Sequence, residues 1–245
     1  HPELETTWIE EEGGLGALKD RAYNPFYVSE EDIREFEEDI APFWRDKTLF
    51  AKWRNICPPE IQKRTSGVGF AEATFDLCVL GSHEAMDWPE IFKYGLDWYR
   101  KEAQKKLDEL DIFDPNNYDK IQFYKGFILE VDAVEIFANK YADKCQELAD
   151  AEADPKRKAE LQRTADACRQ VPMHPVRSFF EGCQCYWLVY CILPQDSSGP
   201  LFTIGRFDQN LWEFYKKDVI DDKILTRAEA QEIIECLWLK FNNTM

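Results

Sequence analysis

Between Phe179 and Leu193 apolar side chains occupy nearly every position, interrupted by Glu181, Gly182 and Gln184. A helix that is apolar all round has to be enclosed by protein or by lipid. The run is shorter than the ~20 residues that cross a bilayer, and it carries Glu181 and Gln184 inside it, so protein is the enclosure. It reads as a central core helix. His174-Pro175 predicts its start, since proline at a first helical position gives up only an amide with no partner. Pro194 predicts its stop, and Gln195-Asp196-Ser197-Ser198-Gly199-Pro200 is a turn cluster opening from a buried element. Polar side chains presented there can line a pocket.

The remaining pattern is mostly of helical period. Ser29 is a good N-cap for a helix carrying Ile33, Phe36, Ile40 and Phe43, with Pro42 near its end and Cys57-Pro58-Pro59 as a break. Gly13-Gly14-Leu15-Gly16 lacks the spacing of a phosphate cradle, and residues 1–20 read as a surface loop. Phe70 to Leu80 fits strand or helix. A loop from Gly81 follows, with Pro89 as the first residue of a helix carrying Ile91, Phe92, Leu96, Tyr99, Ala103, Leu107 and Leu110. After the Asp114-Pro115 turn a long helix is predicted from Tyr118 to Ala151, burying Ile121, Ile128, Val131, Val134, Phe137, Tyr141, Cys145 and Leu148. Asp154-Pro155 begins another, ending before Val171-Pro172. Leu201-Phe202-Thr203-Ile204 is the best strand candidate, and Thr226 with Glu229 forms a capping box for a final helix. Trp187, Trp212 and Trp238 read as core. The chain is thus mostly α with a few strands, without internal repeats or a linker long enough to separate domains.

Composition narrows the class of function. The formal charge of −17 excludes the basic footprint of a nucleic-acid binder. Aromatic content is high, with 17 Phe, 10 Tyr and 8 Trp, as in a globular protein. None of the eight cysteines forms a C-x-x-C pair, and no histidine stands at zinc-ligand spacing from them. All eight read as reduced core or near-core thiols, so no metal site is expected and a cytoplasmic, reducing location is. No signal peptide or membrane span is visible. The chain begins at His1 rather than Met, which suggests that the start of a parent protein is missing.

Ala153-Asp154-Pro155-Lys156-Arg157-Lys158, Val171-Pro172, Arg177-Ser178-Phe179, Gly205-Arg206-Phe207-Asp208-Gln209 and Phe214-Tyr215-Lys216-Lys217-Asp218 follow one another in order, then Leu225-Thr226 and Glu235 to Asn242. This series resembles the pyruvate formate-lyase-like domain of glycyl radical enzymes, in the branch of diol dehydratases, choline lyase and arylacetate decarboxylases. Upstream, Asn24-Pro25-Phe26, Ser29 to Asp32, Pro42-Phe43-Trp44 and Lys47-Thr48 are similar to that family's N-terminal helices. His83 with Met86-Asp87-Trp88 resembles its Gly-His-x-x-Pro-Asp-Tyr segment.

The resemblance implies a portion of a ten-stranded α/β barrel, with residues 1–245 as one partial domain holding the N-terminal helices and first barrel elements. It implies a radical stored on a glycine, passed to a cysteine thiyl that abstracts hydrogen from a small organic substrate, so that a C–O, C–C, C–N or C–S bond breaks. The family's Gly-Cys-Val-Glu and Arg-Val-x-Gly-Tyr motifs do not occur here. Gly182-Cys183-Gln184-Cys185 falls in the core-helix register and is not taken as the thiyl site. No catalytic residue is therefore expected within the chain, and the chain alone is expected to be inactive. Two substrate contacts carry over: His83, and Ser197 in the turn before Gly205-Arg206-Phe207, each to a substrate hydroxyl; turn chemistry alone is the rival account of Ser197. Arg206 and Asp208 read as a structural charged pair. No bound cofactor is implied, the glycyl radical being installed by a radical-SAM iron–sulfur activating enzyme. That activating enzyme and a second copy, in a homodimer, are the expected partners, with neither nucleic acid nor membrane. A dehydratase-type reaction is favoured, with an arylacetate-type decarboxylase or a non-catalytic helical scaffold subunit as alternatives. A redox or metal protein built on the cysteines is disfavoured by their spacing.

Overall fold

The computed structural model describes residues 9–10, 13–23, 25–61, 84–196 and 202–242. The chain divides into two compact units, one of residues 1–84 with 193–202 and one of residues 85–192 with 203–245.

In the first unit, Gly13 and Gly14 take φ of 97° and 86°, which only glycine adopts freely, and helix α1 (Leu15–Asp20) starts behind them. The loop expected over residues 1–20 is therefore helical in its last stretch, because Leu18 finds a buried site. Helix α2 runs from Glu30–Glu35 through a π-type turn, Phe36–Ile40, to Ala41–Trp44. Its capping box is formed: the Asp32 amide donates to Ser29 Oγ at 3.1 Å and the Ser29 amide to Asp32 Oδ2 at 2.7 Å. The wide turn stands just ahead of Pro42, whose ring is incompatible with an ordinary turn at that point, and the Ala41 amide reaches back to the Phe36 carbonyl. Helix α3 (Leu49–Ile56) ends directly before the predicted Cys57-Pro58-Pro59 break.

The second unit is built around one helix. The two strands of the described residues, β1 (Glu84–Ala85) and β2 (Phe202–Thr203), are two residues each and form a ladder, and the second unit takes in only Ala85 and Thr203 of them. Helices α4 (Trp88–Tyr94) and α5 (Leu96–Asp108) replace the single helix that the periodicity predicts. The break is Gly95, at φ 72°, where a Cβ would lie 2.6 Å from His174 Cα and would collide with the Met173 carbonyl. The chain turns there so that the Leu96 and Asp97 amides can donate to the carbonyls of Pro172 and Met173, at 2.9 and 3.0 Å.

Helix α6 (Tyr118–Ala151) and helix α7 (Pro155–Gln170) have the predicted bounds, with Asp154 capping the Lys156 amide. Their link is short, and Gln146 and Gln162 exchange amide hydrogen bonds of 2.8 and 2.9 Å while Arg169 pairs with Asp143. The two helices are thus antiparallel. The buried seam of α6 differs from the expectation. Ile121 and Val131 are buried, but the rest of the seam is Ala138, Ala142 and Ala149, whereas Tyr141 is 50 % exposed and Leu148 is exposed too. Close approach of α7 needs small side chains, so alanine rather than bulk marks the contact.

Helix α8 (Phe179–Asp196) is the core helix that the apolar run predicts, with both ends shifted. It starts four residues after Pro175, and it continues through Pro194 to Asp196. His174 and Pro175 instead belong to the non-helical segment that meets α4 and α5, where the Val176 amide donates to the Phe92 carbonyl at 2.8 Å. Helix α9 (Phe207–Tyr215) passes into a second π-type turn, Lys216–Asp221, and α10 (Arg227–Asn242) closes the unit behind the Thr226–Glu229 capping box.

Candidate functional site

Four helices of the second unit surround α8. Trp88 of α4 lies 4.2 Å from the Tyr186 ring, and Phe92 lies 5.3 Å from it. Gln184 faces Cys168 of α7, and Arg163 stacks over Phe180. On the α9 side, Gly182 lets the helix close in: a Cβ there would stand 2.5 Å from Leu211 Cδ2. Asn210 donates to the Tyr186 hydroxyl at 2.8 Å, which satisfies a phenol buried completely against Phe207. Burial pushes the Tyr186 pKa up, so it stays a neutral donor and acceptor. From α10, Phe241 packs on Trp187 and Tyr190.

The helix start is held by carboxylates. Asp218, 3 % exposed, accepts the Phe179 amide at 2.7 Å. Glu181 accepts the Arg177 amide at 2.8 Å and pairs with the Arg177 guanidinium at 2.6 Å, which raises the arginine above its usual value. Ser178 Oγ accepts the Glu181 amide at 3.2 Å, and Lys217 donates to the Arg177 carbonyl at 3.0 Å. Two anions therefore sit at the positive end of the helix dipole. The π-type turn Lys216–Asp221 carries Asp218 on its inner side. Glu181 was visible in the sequence as a charge within an apolar run; Asp218 gave no such signal, because its partner is 39 positions away.

His83 and Ser197, the two predicted substrate contacts, lie outside the described residues, and so does Cys78. The charged pair expected of Arg206 and Asp208 is replaced by another arrangement: Arg206 Nη1 donates to Gln209 at 3.4 Å, and Asp208 stands exposed in the first turn of α9, where its charge suits the dipole. Trp212 and Trp238, expected in the core, are half exposed, Trp238 at 48 %. Each lies on the outer side of a helix that buries a different stripe, Leu211 in α9 and Ala230, Leu237 and Phe241 in α10.

The thiols divide by burial. Cys183 and Cys185 are 4 % and 1 % exposed, and burial pushes the Cys183 thiol up to about 12 and Cys185 further. Cys168 is pushed up to about 12 and Cys191 to about 11 for the same reason. None of these is a nucleophilic thiolate at neutral pH. Cys236 corrects the expectation of eight core or near-core thiols, for it lies exposed on α10. Among the described residues no three His, Cys, Asp or Glu side chains gather in a way that could hold a metal ion, and no helix is long and apolar enough to cross a membrane.

The model of the family described as pyruvate formate lyase-like matches residues 1–245, the entire chain. The chain belongs to the pyruvate formate lyase-like family. Its relatives there are glycyl radical enzymes. An isethionate sulfite-lyase of Oleidesulfovibrio alaskensis is 30% identical over 250 residues, covering 98% of this chain and 29% of that protein. A trans-4-hydroxy-L-proline dehydratase of Clostridioides difficile is 33% identical over 231 residues, covering 94% of this chain and 29% of its own length. A crystal structure of hydroxyproline dehydratase from Clostridioides difficile, with trans-4-hydroxy-L-proline bound, superimposes with a TM-score of 0.82 at 31% identity, over 99% of this chain and 30% of that one. The chain therefore spans about three-tenths of the length of these pyruvate formate lyase-like relatives. The fold of its residues is what this chain shares with that solved structure.

Proposed function

We propose that the chain is the front portion of a glycyl radical lyase acting on a small organic substrate. In this reading it supplies helices outside a ten-stranded α/β barrel and one wall of a closed substrate cavity. The observation that carries it is the family match along the whole chain. The thiyl cysteine and the radical glycine lie on further polypeptide, in Gly-Cys-Val-Glu and Arg-Val-x-Gly-Tyr segments, and a radical-SAM activating enzyme installs the radical. A deep pocket is what such chemistry needs, since it keeps water and oxidants from the intermediate. A homodimer in the cytoplasm completes the proposal, with residues 1–245 belonging to a single domain.

A dehydratase-type reaction on a hydroxylated substrate is the favoured specific form. It is supported by the resemblance of the His83 segment and the Ser197 turn to the dehydratases, and by the hydroxyproline dehydratase among the relatives. His83 and Ser197 hold the substrate hydroxyl. The test is kinetic, in the full-length enzyme supplied with its activating enzyme and a panel of diol, hydroxyproline, isethionate and arylacetate substrates. His83→Ala and Ser197→Ala are expected to raise KM or lower kcat more than a change at an exposed position such as Lys156. Unchanged kinetics in both variants would remove these residues from the site. A parent reading frame that stops without the two motifs would instead favour a scaffold subunit.

A further inference from the structure

No further inference is drawn: the strongest candidate, the exposed apolar patch on α6 formed by Phe123, Tyr141 and Leu148, carries nothing, because nothing in the structure shows what covers it.

Discussion

Asp218 shows how one side chain can set the start of the helix at the centre of a unit. Its carboxylate is buried and takes the Phe179 amide, so Asp218→Ala leaves that amide without an acceptor in a dry site. The expected loss is about 1–3 kcal/mol, read as a lower denaturant midpoint, with Asp218→Asn losing less. A midpoint unchanged in the alanine variant would mean that the bond contributes nothing. Gly95→Ala is expected to be costly for a different reason: its φ of 72° disfavours any Cβ, and the Met173 carbonyl occupies the space. With ψ at 163° the backbone lies in a region open essentially to glycine alone, and strain there accounts for about 1–3 kcal/mol. The thiols give a chemical readout at the same scale. Among the thiols of the described residues, Cys236 is expected to react first with an alkylating reagent, and Cys168, Cys183 and Cys185 only on unfolding, as peptide mapping by mass spectrometry can follow. Early labelling of Cys183 or Cys185 would contradict the packing around α8.

At the scale of elements, α5 is tied to α6 by charge. Arg100 reaches Asp97 at 2.5 Å, Asp132 at 2.7 Å and Glu135 at 2.5 Å, and Lys101 reaches Asp97 at 2.6 Å. The hydrogen bonds from Lys101 and Arg100 hold the Asp97 carboxyl below its usual range. A carboxylate depressed in the folded state binds fewer protons there than in the unfolded chain. Its contribution is complete above about pH 4 and is lost as pH falls through the lowered folded value. Asp97→Asn is therefore expected to flatten the acid limb of a stability-against-pH curve while changing its neutral end as well. An acid limb with the same slope in both proteins would contradict the role. Much of this level was legible in the sequence: Ser29, Asp154 and Thr226 cap where their spacing places them, because capping depends on residues at most three positions apart. What was not legible depends on distant partners. Gly95 breaks a periodic stretch because of Met173, and the α6 seam is alanine because of α7. Pro194 sits within α8, which runs two residues past it to Asp196.

For the whole molecule, the apolar run of α8 was the most informative stretch, because a helix enclosed on every side must lie at the centre of what surrounds it. The family was legible as well, from short segments in a fixed order, and the match over residues 1–245 agrees. Reaction type was not, because the residues that distinguish a dehydratase from a sulfite-lyase or a decarboxylase touch substrate rather than set the fold. In the proposed function, this chain belongs to an enzyme whose radical resides on other polypeptide. Electron paramagnetic resonance tests it most directly, on the parent protein incubated without oxygen with its activating enzyme, S-adenosylmethionine and a reductant. A doublet from a carbon-centred backbone radical, together with substrate turnover, is the predicted result. Efficient cleavage of S-adenosylmethionine with no radical formed on the parent protein would contradict it.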